Sequence, residues 1–506
     1  MKIALVTGRI AYEMVREVAE KIMRENPGVE ITVIQLPIPV AAMMTSEYLL
    51  RELPRHIDSL RDKDYVIVPG YTRGDVSLVS RELGLRIIKG PRYIYDLPQM
   101  VKYILKGVEF STIEPADSIL EAEKEKIEVE VLREAREKAS VDKYFDINGI
   151  PVSKHYPLVV LEVYADTPRD LEKYRVAASH ADLISIGVPI GFDLSKTQRI
   201  IEEAKTLFNK PVGIDTGDMD IINELSRQVD FINGVSIENI DVLTSMIHAI
   251  REKPIILVGG RGVEPKKLVS TARYLREHGL EKIILDPVLQ PPLQGLIESL
   301  TAYIEVKNMQ SEFPVLMGVG NITELVDADS IGLNALLAFI GVELGVELYL
   351  TAEASVKTRN ATLELKKALE MAVIAKKLGK PPKDLTLNLL VLKDKKLKTS
   401  IPVRAENRVV AVEKSPWKPD PKGFFKIFVD HSNKTIIVQY YKYGENKPVL
   451  EIESRDPYAI LNTIIDRELA SDPKHYFYLG YELAKAKIAL SLGKEYEQDR
   501  ELFTVD

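Results

Sequence analysis

Cysteine is absent from this chain of 506 residues. That excludes disulfides, thiolate zinc sites, iron–sulfur clusters and a cysteine nucleophile together. Histidine is scarce as well: the seven present are scattered, with none paired at i and i+4, so a histidine-based metal site lacks its ligands and no metal site is expected. No uninterrupted apolar run approaches the roughly 20 residues of a membrane span. The opening MKIALVTGRIAYEMV turns polar too early for a signal peptide. These two absences predict a soluble, cytoplasmic protein that avoids membranes. Positive charge is not in excess either, because 68 basic against 75 acidic residues leave a net charge of −7. A global attraction to phosphate backbones is therefore missing, and nucleic acid is not the expected partner. The plentiful Lys and Glu fit a thermophile, in which charged surface networks replace labile residues.

The length calls for two to four domains. Residues 1–115 alternate strand and helix patterns (MKIALVTG, YEMVREVAEKIMREN, VEITVIQL, DYVIVPG), which predicts an α/β unit with a parallel sheet. Residues 116–150 read as a highly charged helical linker. From 151 to 385, eight short apolar runs, each followed by a helical pattern, predict a (β/α)8 TIM barrel. The runs lie at 158–163, 183–188, 211–214, 231–233, 254–258, 282–286, 314–319 and 346–350. The helix LELKKALEMAVIAKKLG ends the barrel at Pro381 and Pro382. Residues 386–506 carry strand patterns and then helices, a small α+β domain.

Barrel chemistry sits where the strands end, because the following loops converge there while the interior is packed solid. Asp215 closes the third run and Asp286 the sixth. Asn233 follows on the fourth, and Asn321 comes just past the seventh in GVGNITE. A 2-amino-4-oxo-pyrimidine ring suits this set, since a carboxylate accepts two parallel N–H bonds and amides satisfy the remaining edge. Arg261 in VGGRGVEP and Lys357 in EASVKTRN supply candidate cations after strands five and eight, and the Gly-Gly-Arg-Gly turn exposes backbone N–H groups to an anion. Thr351 and Glu353 face the mouth if VELYL is strand eight, with Glu353 as an ion-pair partner for Lys357. In the first domain, TGRIAYE and VPGYTRGD (with Arg73 and Asp75) share one sheet edge but carry no nucleotide fingerprint, which favours a regulatory or interface sheet. His475 and its neighbouring tyrosines read as packing.

The segments ADLISIGVPIG, KPVGIDTGDMDIINELSRQVDFINGVS and KIILDPVLQPP resemble the pterin-binding barrel shared by dihydropteroate synthases and methyltetrahydropterin methyltransferases. More narrowly, with the match running on through GVGNITELVDADSIGLNALLAFIGVELGVELYLTAEASVKTR, the chain resembles the archaeal dihydropteroate synthase-related proteins. The resemblance assigns Asp215, Asn233 and Asp286 to a reduced pterin, with Asp182 as a further candidate, and gives Asn321 and Asp286 the polarising of the ring, while Arg261 and Lys357, read from the residues alone, are the candidate catalytic cations. It also implies Mg2+ accompanying a diphosphate substrate, and a homodimer.

Where the bacterial synthase pattern has an Asn after strand one, a Ser-x-Arg/Lys run after strand seven and an Arg-x-His near strand eight, this chain has EVYADTP, GVGNITE and LTAEAS. By contrast, G-x-x-N-x-T at 318–323, followed by Asn334, resembles the methyltransferase branch, in which an amide near N5 of the pterin bonds the developing charge. The C-terminal YLGYELAKAKIALSLGKEYEQD resembles a small domain found beside corrinoid methyl-carrier subunits. Three functions follow as expectations. The first is condensation of a reduced pterin methyl carbon with an arylamine, losing diphosphate. The second is methyl transfer from N5 of a tetrahydropterin to a corrinoid protein or other acceptor. The third is pterin binding without chemistry.

Overall fold

The computed structural model describes residues 1–260, 262–309, 312–395, 409, 411 and 419–503. It divides into two compact units, one of Met1–Glu137 with Val373–Asn388 and one of Lys138–Ala372 with Leu389–Asp506.

In the first unit, four parallel strands, Lys2–Thr7, Glu30–Gln35, Tyr65–Val68 and Ile87–Lys89, pair in the order second, first, third, fourth. The fourth was not expected from sequence, because only three residues of it are in the ladder. Residues 116–141 do form one helix, but it is not a free linker. Ala116 and Leu120 are buried in the core of this unit. Further along, the Glu128 carboxylate accepts the Thr386 backbone N–H at 3.0 Å and the Thr386 hydroxyl. Helix and returning chain are thus tied within one unit, and the boundary at 115 is not where the packing divides.

The second unit holds the barrel. Its eight parallel strands are Leu158–Val163, Leu183–Gly187, Val212–Asp215, Ile232–Ser236, Ile255–Val258, Ile283–Asp286, Leu316–Gly318 and Leu348–Ala352, at or within a few residues of the expected runs. The ladder runs from strand six back to one and on through eight to seven, and the ring closes through a single bridge, Leu285 to Val315. Side chains alternate along each strand. Leu158, Val160, Leu183, Phe231, Ile256 and Ile284 fill the interior, whereas Val159, Leu161, Ile184 and Ile214 face the helices. Below the strands, a hairpin (Phe145–Ile147 with Ile150–Val152) turning at Asn148-Gly149 adds Ile147 and Val152 to the interior cluster and plugs the amino-terminal end.

Glu347, almost wholly buried just before strand eight, fastens that end. It accepts Lys307 Nζ at 2.8 Å, Tyr144 Oη at 3.1 Å and the Val315 backbone N–H at 2.8 Å. The hairpin, the helix after strand six and the start of strand seven are thereby joined at one carboxylate. After the barrel, residues 389–503 contribute an antiparallel sheet of Phe424–Asp430, Thr435–Tyr441 and Leu450–Ser454, covered by helices Pro457–Asp466 and Pro473–Leu492. This is the expected small α+β domain. His475 is buried there between the rings of Phe425 and Tyr478. No helix among the described residues is long and apolar enough to cross a membrane.

Removing one partner of a buried ion pair leaves the other charge uncompensated, which typically costs about 3–5 kcal/mol. Glu347→Ala is therefore expected to destabilise the barrel by about that amount in urea unfolding. Asp327→Ala, which breaks the rim pair with Lys357 where Asp327 is almost fully exposed, should cost less than about 1 kcal/mol.

Candidate active site

The carboxyl ends of the strands gather three acidic side chains in one mouth. Register does this. Glu162 of strand one lies beside Ser185, Gly187 of strand two beside Asp215, and Asp215 beside Asn233 of strand four. Because Leu158 and Val160 point inward, period two sends Glu162 inward as well.

Asn233 reaches its place through an irregularity. The pairing of strands four and five shifts register between Ile232 and Val235, and Gly234 takes φ +81°. A Cβ at Gly234 would lie 2.4 Å from Asp215 Oδ1, so only glycine lets this bulge press Asn233 against the carboxylate. Asn233 Nδ2 then donates to Asp215 Oδ2 at 2.6 Å.

Burial dominates the electrostatics. Desolvation, reinforced by the charges of Glu162 and Asp286, pushes the Asp215 carboxyl up to about 7. Desolvation raises Asp286 to about 6, against the opposing hydrogen bonds from Val288 and Tyr303. Glu162 is also raised by burial, and a bond from the Tyr164 hydroxyl opposes the shift. In Asp286 the Val288 N–H at 2.8 Å and the Tyr303 hydroxyl at 3.2 Å both converge on Oδ1. Among the described residues no hydrogen bond reaches Oδ2. Tyr303 also lies 3.0 Å from the Leu316 carbonyl, so one phenol spans the gap between strands six and seven where the ladder is reduced to its single bridge.

Glu162 and Tyr164 were not singled out from sequence, where EVYADTP read only as a departure from the synthase pattern. The inward alternation of Leu158 and Val160 is the signal that would have found Glu162. Tyr164, half exposed, lies over Gly187, whose Cβ would stand 2.7 Å from the Tyr164 ring. The missing side chain makes room for an aromatic face at the mouth.

Several expected residues lie elsewhere. Asp182 precedes strand two, at the opposite end of the barrel, where it accepts the Val159 N–H and Lys366 Nζ, each at 2.8 Å. It fastens the base and is remote from the mouth. Thr351 pairs in register with Leu161, which faces the helices, so it too points outward. Glu353 does not pair with Lys357. Glu353 caps the turn at the Asn360 and Thr362 N–H groups, and Lys357 Nζ bonds Asp327 at 2.9 Å. Asn334 is buried in the helix layer, donating to Glu364 at 2.9 Å. Asn321 does lie at the carboxyl end, on the turn after strand seven, with its Nδ2 donating to the Leu289 carbonyl at 3.0 Å. Arg261 lies outside the described residues.

Comparison with known proteins places the chain. An uncharacterized protein of Methanocaldococcus jannaschii is 32% identical over 99% of both chains. The chain belongs to the same family as that archaeal protein. A family model described as PterinBD-DUF4346 matches residues 419–499, the domain after the barrel, and a family of unknown function, DUF6513, matches residues 1–92. Among solved structures, the 7,8-dihydropteroate synthase of Vibrio fischeri is 16% identical with a TM-score of 0.36, covering 45% of this chain and 95% of its own. The Thermus thermophilus dihydropteroate synthase is 19% identical with a TM-score of 0.34, covering 42% and 91%. A truncated 3-deoxy-D-arabino-heptulosonate 7-phosphate synthase from Thermotoga maritima is 15% identical with a TM-score of 0.38, covering 47% and 94%.

The raised carboxyl of Asp286 has a consequence for stability. A group whose proton is held more tightly in the folded state stabilises the fold below its unfolded value, and that contribution is lost as pH rises through the folded value. The rise from 3.8 to about 6 corresponds to about 3 kcal/mol. Asp286→Asn is accordingly expected to unfold at a higher temperature than the parent above pH 7 and at the same temperature near pH 4, as calorimetric scans across that range would register.

Proposed function

We propose that this protein is a pterin-dependent transferase, with the pyrimidine edge of a reduced pterin held by Asp215, Asn233 and Asp286. The supporting observation is the under-bonded state of the two buried aspartates. Asp215 receives one side-chain donor, Asn233, and Asp286 keeps Oδ2 clear of described partners. A ring presenting adjacent N–H groups supplies the donors that the fold withholds. Tyr164 offers a face on which the flat ring can stack, and its hydroxyl bonds Glu162.

Of the two transfers, moving a one-carbon group from N5 of a tetrahydropterin is the better supported. Expulsion of diphosphate needs cations aimed at the leaving group, whereas the side chains gathered here are acidic and Lys357 is engaged by Asp327 on the rim. Methyl loss from N5 instead profits from a proton or a hydrogen bond at nitrogen as charge develops. Burial raises the Glu162 carboxyl, so it holds its proton to higher pH than an exposed glutamate does. Glu162 is the group we assign to that task, with Asn321 at the rim as the amide donor, while Asp215 and Asp286 stay on the pyrimidine edge. One observation favours the arylamine condensation: Gly260 and Gly262, both at positive φ after strand five, flank Arg261, and such a loop can present N–H groups to an anion.

Calorimetric titration with an N5-methyl-tetrahydropterin and, separately, with a dihydropterin diphosphate analogue tests the reading. The methylated ligand should bind more tightly, and its affinity should fall as pH drops through about 7 and 6, because protonated aspartates no longer accept both N–H bonds. Asp286→Asn should weaken binding at least tenfold. Tyr164→Ala should weaken it by about 5- to 150-fold, the range set by a stacking contribution of about 1–3 kcal/mol, while Tyr164→Phe keeps most of the affinity. Preference for the diphosphate ligand would turn the assignment to condensation, and binding of neither ligand would refute pterin recognition.

A further inference from the structure

Positive charge collects at one edge of the first unit. Its parallel sheet runs in the order second, first, third, fourth strand, so the chain leaves the first strand to one side and returns for the third on the other. Loops part at such a switch point, and in open parallel sheets the crevice outside the carboxyl ends is where ligands bind. Here the first, third and fourth strands run out into Gly8-Arg9, Gly70-Tyr71-Thr72-Arg73 and Gly90-Pro91-Arg92. One arginine thus follows each of three neighbouring strands. All three are exposed, and among the described residues no guanidinium of the three is in an ion pair or a hydrogen bond. Arg92 lies 6.0 Å from the centre of the Tyr71 ring.

Backbone contacts hold the three loops together. The Arg9 N–H donates to the Ile38 carbonyl at 2.9 Å, and further along that same connection the Met44 carbonyl accepts the Arg73 N–H at 2.9 Å. A Cβ at Gly70 would lie 2.6 Å from the Gly90 carbonyl oxygen and 2.7 Å from the Arg92 nitrogen, so glycine is what lets the loops of Arg73 and Arg92 approach. Two buried polar groups at this edge are left short of partners. Thr72 is 3% exposed, and its hydroxyl has no partner among the described residues. Lys89, which ends the fourth strand and is 5% exposed, bonds through its ammonium to the Ile113 carbonyl at 2.6 Å and to no other described group. An ammonium has three protons to donate, and burying it short of acceptors is costly unless something supplies them. The neighbouring carboxylates do not. Glu114 and Asp75 act on the Lys89 charge without forming an ion pair with it, Asp75 being taken by the Ser77 N–H and hydroxyl, and Asp117 accepts the Arg92 N–H.

We infer that this edge of the first unit binds the phosphoryl group of a small metabolite, held by Arg9, Arg73 and Arg92, with Thr72 and Lys89 supplying donors that the fold leaves without acceptors. A phosphate group brings three strong acceptor oxygens and about two negative charges, and guanidinium forks match its geometry bidentately. The helix Tyr12–Glu25 begins at the same edge behind Ala11, with no side chain capping it, which leaves its first N–H groups for an anion. The net charge of −7 over the whole chain disfavours a polyanion and leaves a small ligand as the occupant. Every residue of the site belongs to the first unit, and the inference is independent of what the barrel binds.

Calorimetric titration of the full-length protein with inorganic diphosphate, repeated with citrate as a carboxylate of similar charge, tests the inference. Diphosphate should bind, and citrate should bind at least tenfold more weakly. Arg9→Ala and Arg73→Ala should each weaken diphosphate binding by about tenfold or more, the loss of a charge-assisted hydrogen bond, with an unchanged unfolding temperature, because neither guanidinium has a partner in the free protein. Thr72→Val should also weaken binding while leaving the free protein at least as stable, since the hydroxyl it removes is unpaired. Asp286→Asn, in the barrel, should leave this binding unchanged, which separates it from any diphosphate held at the mouth. No binding at millimolar diphosphate would overturn the inference. So would affinity that survives both arginine substitutions, affinity lost in Asp286→Asn, or citrate bound as tightly as diphosphate.

Discussion

Closure of the ring between strands six and seven is the constraint on which the rest of the second unit depends. Eight strand ends converge on one mouth only if the sheet meets itself, yet at this seam the ladder shrinks to one bridge between Leu285 and Val315. The deficit is met by side chains. Tyr303 spans the seam near its carboxyl end, reaching Asp286 and the Leu316 carbonyl, while Glu347 gathers Lys307, Tyr144 and the Val315 N–H at the amino-terminal end. An unpaired buried carbonyl or N–H costs free energy comparable to a lost hydrogen bond. Each tether therefore satisfies the backbone and fixes geometry together. That Asp286 takes part in one of them means that the mouth and the closure are positioned by the same phenol.

Closure also creates the electrostatic problem that the mouth exploits. With the interior filled by Leu158, Val160, Phe231 and their neighbours, water is kept from the floor beneath Glu162, Asp215 and Asp286, and their charged forms become costly. In an open cleft the same three carboxylates would titrate near their ordinary values and bring no protons to neutral pH. Acidity in this range is thus a property of the packing around the residues, which explains why it was invisible in a composition whose acidic excess is modest.

The sequence made Asp215, Asn233 and Asp286 legible because each ends an apolar run, and a run end at the carboxyl side of a barrel strand has a known destination. It misplaced Asp182 for a related reason. Asp182 touches the same apolar run as strand two but precedes it, and one position at the start of a strand puts a side chain at the base. Glu162 was overlooked because it sits inside the run LVVLEV, where a carboxylate looks like an edge residue until the inward alternation is followed. Thr351 failed on the same parity, one residue out of phase with the interior. The helix 116–141 was read as a charged helical linker, and only Ala116, Leu120 and the Glu128–Thr386 bonds show which side is packed. Periodicity gives the element; which end and which face a residue occupies depend on register, which no single segment encodes.

Donor counting separates the structural carboxylates from those proposed to bind more sharply than burial does. Glu347 is as buried as Asp286, and burial pushes its carboxyl upward too, but three groups including Lys307 supply it. Asp182 has a lysine and a backbone N–H, Glu324 has Ser355, Thr358 and the Ala354 N–H, and Asp420 has backbone donors from Lys422, Ser471 and Asp472. A folding chain can satisfy a buried acid in these ways, and at four positions it has done so. In the mouth it has not. Asp215 has a single amide, Asp286 has donors on one oxygen only, and Glu162 has a phenol that is itself half exposed. Leaving buried acceptors short of donors is destabilising unless something that arrives later completes them, and this shortfall, concentrated at the carboxyl ends of strands one, three and six, is what supports the proposed pterin site.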